Sequence, residues 1–229
     1  MVGGSMIEFR QVTAKYPKGE QEVFRQLDFQ VPVHGFLYLM GESGTGKTTI
    51  LRLIMKELEP VQGEIRINGA AIYGMPRKEI PLYRRRLGLV SQDMGLLQDK
   101  TVYENMELAK RVAQAGAGDI RIQVAMALRL VGMESSYQCY PKELSGGEQR
   151  KICIARAMVN HPDILLADEP TGDLDPDSSM EIMKLLNELN RRGTTMIVAT
   201  HDRELTERYI HPILLLSKNG GIYEDKSKG

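Results

Sequence analysis

Apolar and polar positions alternate in strand fashion over Ile7–Tyr16 and again over Val23–Val33, with Lys18-Gly19 forming the turn between the two runs. The pair predicts an antiparallel sheet. A short continuous apolar run, Phe36–Met40, follows, and the spacing turns helical over Thr48–Leu58. Ile65, Ile67 and Ile72 surround Asn68-Gly69, a dipeptide suited to the positive φ angles of a two-residue hairpin turn. Leu87–Ser91 reads as a short buried strand. From Val102 to Met133 the period is helical, broken at Gly116–Asp119, and no strand pattern returns before Ile164. Strand Ile164–Ala167, helix Ser178–Arg191, strand Thr195–Ala199, helix Arg203–Tyr209 and strand Ile213–Ser217 then alternate. Alternation of this kind predicts a parallel sheet with right-handed crossovers and ligands at the strand carboxyl ends.

The expected fold class is therefore α/β, with a parallel-sheet core, an antiparallel β subdomain and a helical subdomain. Residues 6–229 read as one unit, in which 6–92 and 159–229 form the core with its antiparallel sheet and 93–158 form the helical part. The length of 229 residues is sufficient to bury a sizeable core. With 30 Lys+Arg against 30 Asp+Glu, the overall charge offers no attraction to nucleic acid. Cys139 and Cys153 have no metal-binding or redox spacing, which implies a reducing compartment. No apolar run reaches the roughly 18 residues of a membrane span, and the N-terminal residues lack a secretory pattern. A cytoplasmic protein is expected, and any membrane role would come through a partner.

The stretch Gly41-Glu42-Ser43-Gly44-Thr45-Gly46-Lys47-Thr48 lies between the apolar run and the first helix, the context that a phosphate loop requires. Its glycines allow backbone N–H groups to turn inward around an anion, and the helix dipole adds positive potential. Lys47 would reach the β- and γ-phosphates, the Thr48 hydroxyl would ligate Mg2+, and Thr49 would lie over the α-phosphate. Asp168 and Glu169 end the strand at Ile164: the first suits a metal bound through water, the second suits polarising an attacking water. His201 stands after the next strand and could sense a γ-phosphate. Gln92, after Leu87–Ser91, could complete the metal shell or hold the water. Tyr16 could stack on an adenine.

A second anion site is present in Leu144-Ser145-Gly146-Gly147-Glu148-Gln149. Ser145 is a helix N-cap, the two glycines open the backbone, and Glu148–Val159 continues as a helix with Ile152, Ala155 and Val159 on one face. One nucleotide needs only one such site. Two chains arranged head to tail would use both, each nucleotide lying between one chain's 41–48 loop and the other chain's 145–148 helix start. The Gly172–Asp175 turn would lie at the junction.

These motifs together resemble the ABC-type ATPases, a family of P-loop NTPases, over nearly the whole chain. The resemblance implies an adenine-stacking aromatic at Tyr16, a Walker A loop at Gly41–Thr48, a Q-loop at Gln92 and a signature at Leu144–Gln149. It further implies Walker B at Ile164–Asp168, the catalytic base at Glu169, a D-loop at Gly172–Asp175 and the switch at His201. It also implies MgATP, a homodimer formed on ATP binding, and an integral membrane partner seated in a groove near Gln92, which would hold the chain on the inner face of the plasma membrane. Glu79–Gly88, Leu96-Leu97, Thr101–Asn105, Ala115–Ile120 and Leu166–Gly172 are most similar to the cell-division branch of the family, whose four-helix membrane partner regulates cell-wall hydrolases outside. The Leu166–Gly172 stretch is shared with lipoprotein-releasing and macrolide-export ATPases, so export is the alternative. A DNA- or ribosome-directed member would carry a long coiled-coil insertion or a second cassette, whereas here Lys47 and Ser145 are only 98 positions apart. Two residues depart from the pattern: Ser91 replaces the usual Phe before Gln92, and Asp173 replaces the usual Asn of the D-loop. Arg84-Arg85-Arg86 reads as a basic turn that could meet anionic lipid or a partner, or simply be solvated.

Overall fold

The computed structural model describes residues 4–15, 22–113, 118–217 and 220–224. The N-terminal runs build a four-stranded antiparallel sheet from β1 (Ser5–Lys15), β2 (Glu22–Pro32), β4 (Gln62–Ile67) and β5 (Ala70–Ala71), in the order β2-β1-β4-β5. Asn68 and Gly69 supply the predicted hairpin turn, with φ of 49° and 75°.

The second sheet has the order β10-β9-β3-β8-β7-β6. In it β3 (Phe36–Met40), β6 (Leu87–Val90), β7 (Ile164–Asp168), β8 (Thr195–Ala199) and β9 (Ile213–Ser217) run parallel. The edge strand β10 (Gly220–Glu224) is antiparallel and was not expected, since two leading glycines leave it little apolar alternation. Sheet strands bury both faces, which is why they read as unbroken apolar runs. Tyr38, Leu165, Ala167, Met196 and Val198 enter one core. Leu37, Leu39, Ile164, Leu166, Ile197 and Ala199 enter the other.

The first face is covered by α3 (Val102–Ala113), α4 (Ile120–Leu130), α5 (Gly146–Met158), α6 (Pro176–Arg191) and α7 (Arg203–Arg208). The second is covered by α1 (Lys47–Ile54) and the antiparallel sheet. α1 stops short of the predicted Leu58 because Lys56 adopts φ 58°, in the left-handed region. Lys56 N–H then bonds Leu53 O and Glu57 N–H bonds Arg52 O, a Schellman ending with lysine where glycine is usual. The sequence pattern missed α2 (Ile80–Arg84), whose only buried side chain is Tyr83. This helix serves the end of α1: Tyr83 Oη donates to Ile54 O, and Arg84 donates to Met55 O and Lys56 O. Arg86 pairs with Asp163 at 2.7 Å, so Arg84 and Arg86 of the basic turn are both engaged within the chain.

Candidate nucleotide site

Strand order decides which loops meet. β3, β8, β7 and β6 are successive neighbours, so Gly41, His201, Asp168-Glu169 and Gln92 leave the same sheet edge in that spatial order. Leu39, Ala199 and Asp168 share one register row, and the ladder extends past the strand ends through Thr200 N–H to Leu39 O and Glu169 N–H to Ala199 O.

The 41–48 loop is fixed by its glycines. Gly41 has φ 151°, and a Cβ there would lie 2.5 Å from Leu216 O and 2.6 Å from Thr45 Oγ1. Gly46 has φ 103°, and its Cβ would meet Val23 Cγ1 at 2.7 Å. The turn is held by the Thr45 hydroxyl and N–H, both donating to Glu42 O, and Thr45 itself is buried. Glu42, Ser43 and Gly44 are exposed around the concavity, and Thr49 is buried at the base of α1.

Side chains from the ends of two strands, β7 and β8, converge on this loop. Lys47 Nζ donates to Gly41 O at 2.6 Å and Glu42 O at 3.2 Å, and stands 4.0 Å from Glu169 Oε1. The Thr48 hydroxyl donates to Asp168 Oδ2 at 2.8 Å. His201 Nδ1 lies 3.0 Å from Glu169 Oε2 and donates to that carboxylate, on a side chain that is otherwise exposed. Glu169 reaches this position with φ 47°, a strained conformation for a residue with a Cβ. Burial raises the pKa of Asp168 from its ordinary value, the Thr48 hydrogen bond opposes this, and the adjacent Glu169 charge adds to the rise. A nearby cation would relieve both unfavourable contributions.

The Thr48 hydroxyl and Asp168 carboxylate are hard oxygen donors suited to Mg2+, which takes few protein ligands and fills its octahedron with phosphate oxygens and water. Among the described residues no cluster of three or more His, Cys, Asp or Glu has the arrangement of an all-protein metal cage.

Gln92 is exposed one strand beyond Asp168; its backbone carbonyl accepts from Arg150 Nη2 at 3.3 Å. Tyr16 lies outside the described residues. Ser145 caps α5 as predicted, and its bonds close locally: Ser145 N–H and Oγ–H both donate to Glu148 Oε2 at 2.8 Å, while Glu148 N–H donates back to Ser145 Oγ at 3.3 Å. The backbone bond, then the hydroxyl bond, lowers the pKa of Glu148. Ser145 and Gly146 are exposed. A Cβ on Gly147 would lie 2.9 Å from Ser178 Oγ, and one on Gly146 would lie 3.4 Å from Leu174 Cδ2, so the signature start packs directly on the D-loop and α6.

Sequence reasoning missed Arg150, which is 1% exposed, and Arg156; both donate into the loop that carries Gln92. Their spacing with Cys153, three residues apart along one helix stripe, was the available signal.

Comparison with known proteins places the chain in a family. The profile of the ABC transporter family matches residues 24–172. The cell division ATP-binding protein FtsE of Streptococcus pneumoniae is 42% identical, covering 98% of this chain and 97% of the relative. FtsE of Escherichia coli is 41% identical, covering 95% and 99%. Among solved structures, the ATP-binding cassette MJ0796, in a dimeric post-hydrolysis state bound to ADP and Pi, superposes with a TM-score of 0.85 at 31% identity, covering 96% and 98%. CbiO1 of Clostridium perfringens, part of the transporter complex cbiONQ, superposes with a TM-score of 0.89 at 27% identity, covering 98% and 90%. Loop, carboxylates and histidine at one sheet edge, with these relatives, establish that the chain belongs to the ABC transporter family and is an FtsE-like ATPase of that family.

Proposed function

We propose that the chain is the ATP-hydrolysing subunit of a membrane complex like that of FtsE, coupling ATP-driven closure of a homodimer to an FtsX-like partner that regulates cell-wall hydrolysis during division. The supporting observation is the division of labour between two helix starts. One is surrounded by Lys47, Thr48, Asp168, Glu169 and His201, whereas the other is exposed and bonded only to itself. A cap whose hydrogen bonds close between Ser145 and Glu148 keeps its exposed side open to another chain's nucleotide.

Lys47 and the 41–48 backbone would bind the β- and γ-phosphates, with Thr49 near the α-phosphate and Tyr16 against the base. Thr48, Asp168 and the Gln92 loop would hold Mg2+, which would supply charge neutralisation to the bound phosphates. Glu169 would accept a proton from the attacking water, and His201, oriented by its bond to Glu169, would offer Nε2 to the γ-phosphate. On closure the Ser145 hydroxyl would leave Glu148 and donate, with Gly146 and Gly147 N–H groups, to the partner's γ-phosphate. ATP stabilises the closed dimer, hydrolysis reopens it, and the membrane partner would follow through the groove at Gln92.

Residues 6–229 would act as one ABC unit, the 93–158 segment turning against the core formed by 6–92 and 159–229. Among the described residues no helix is long and apolar enough to cross a membrane. A position on the cytoplasmic face of the plasma membrane therefore rests on the partner, and no nucleic-acid role is proposed.

Glu169→Gln should keep MgATP bound while slowing turnover by roughly 10^2 to 10^4-fold, the usual worth of a general base. Size-exclusion chromatography with MgATP should show that variant as a dimer; a persistent monomer would overturn the composite site. Purification of the wild-type chain from native membranes should bring down an integral membrane protein, and recovery of soluble proteins alone would refute the coupling.

A further inference from the structure

The loop after β6 gives up most of its backbone acceptors to one stripe of α5. Arg150 Nη1 donates to Ser91 O at 2.8 Å and Nη2 to Gln92 O at 3.3 Å. One turn on, Cys153 Sγ donates to Met94 O at 3.3 Å. A further turn on, Arg156 donates to Met94 O and Gly95 O, each at 2.6 Å. Four of the five carbonyls from Ser91 to Gly95 are thereby taken by residues 150, 153 and 156, which recur every three positions on one helix face.

This arrangement is poorly explained by stability alone. Arg150 is among the largest fully buried side chains, and its Nε is buried with no hydrogen-bond partner. Burial works against its charge and lowers its pKa, with Cys153 and the D-loop Asp173 opposing. An apolar side chain of similar volume would serve packing as well or better, because a buried charge costs several kcal/mol of desolvation unless fully partnered. What the guanidinium adds is geometry: two rigid forks from one helix hold the backbone of this loop in a single place. Five residues before Arg150, the same helix begins at Ser145.

We infer that Arg150 and Arg156 are positioning residues that clamp the Gln92 loop onto α5, so that this loop and the Ser145 helix start move as one body during closure. Asp173 and Ser91, the two departures from the family pattern, both lie beside this clamp: Arg150 takes the Ser91 carbonyl and feels the Asp173 charge. Displacement of the loop would then reach the partner's nucleotide through a single rigid helix. The inference rests on the proposed role of Ser145 in trans.

The test uses the purified full-length chain. Arg150→Met keeps the buried volume and removes the donors, so affinity for a fluorescent MgATP analogue should stay within about twofold while kcat falls about tenfold with KM nearly unchanged. Amide hydrogen exchange of residues 91–96 should accelerate by about tenfold or more, with α1 and β7 unaffected. In the Glu169→Gln background, dimer formation should need about tenfold more MgATP. Arg150→Lys, which restores a donor, should recover part of each effect, as a purely packing role would not. Wild-type exchange and wild-type kcat in Arg150→Met would overturn the clamp. Should that variant fail to fold, Arg156→Met tests the same stripe, and unchanged exchange at residues 94–96 overturns it equally. If Glu169→Gln never dimerises, the role of Ser145 fails, while the exchange measurement still decides whether the clamp exists.

Discussion

Helices α1 and α5 both begin at glycine-rich turns, yet they treat their leading N–H groups in opposite ways. α1 starts from Gly46 at φ 103° with no side-chain cap, and no acidic residue occupies its first turn. α5 starts from Ser145 with a complete capping box, its own Glu148 answering the Ser145 N–H and hydroxyl. A helix start without a cap leaves its first donors for something else, which under the proposed function is a phosphate. A helix start with a cap is stable alone and can take an anion only by exchanging one partner for another. The first suits a ligand held through the cycle, the second a contact made and broken once per turnover.

The strongest way to break this contrast is Lys47→Ala. It should weaken ATP binding by roughly 3 kcal/mol, about 100-fold in Kd by isothermal titration, because a charged partner to the phosphates is lost. Near-normal affinity would mean that the uncapped start is not the nucleotide's seat. Ser145→Arg should leave that Kd unchanged but lower steady-state hydrolysis about 100-fold, roughly 2.7 kcal/mol, by placing a bulky side chain where a second chain must close. Normal turnover in Ser145→Arg would make the second start irrelevant.

A pH series needs a control lying away from both helix starts, and His211 provides it. Its ring stacks on Phe36 at 4.0 Å between centroids, and Asn187, whose amide donates to Met183 O, turns its oxygen to His211 Nε2 at 2.6 Å. Burial lowers its pKa from 6.5 to about 4, with Arg191 adding to the effect. The neutral ring is thus the folded form, so this contribution is fully present above pH 6.5 and is lost as pH falls towards 4. The loss should be about 2 kcal/mol after allowance for partial exposure. His211→Phe should flatten urea-unfolding stability across that window, and an unchanged pH profile would refute the assignment. Hydrolysis should meanwhile fail on the acid side for a separate reason: Asp168, with its raised pKa, must be ionised to hold a cation.

The smallest effect sharpens the contrast most directly. Ser145→Ala should cost about 1 kcal/mol of stability, a fall of roughly 2–4 °C in Tm, because a cap is removed. Equal stability would show that the box does not hold α5 by itself.

Much of this architecture was legible before any coordinates. The apolar runs at Phe36, Ile164 and Thr195 read as buried strands and Asn68-Gly69 as a hairpin turn, as observed, since both are local consequences of side-chain volume and backbone sterics. α2 was not legible, because one buried tyrosine makes no period; its purpose, capping α1 through Tyr83 and Arg84, exists only once the two helices meet. The early stop of α1 was hidden for a related reason: Lys56 has no preference for positive φ, and its conformation is imposed by the bonds that close around it. The three-residue spacing of Arg150, Cys153 and Arg156 was the one signal of their contacts, and Arg150 by itself reads as solvated until its burial is seen.

By itself the sequence determined most of the element types and located the glycine-rich loop, the paired carboxylates and the second, capped helix start, because each depends on residues within a dozen positions of one another. The tertiary structure decided which of these meet. Inserting β8 between β3 and β7 puts His201 against Glu169, 32 positions away in the chain, and brings Thr48 to Asp168, 120 positions away. Strand order is a property of the whole packed core, in which two apolar faces must be covered at once, and no local pattern encodes it.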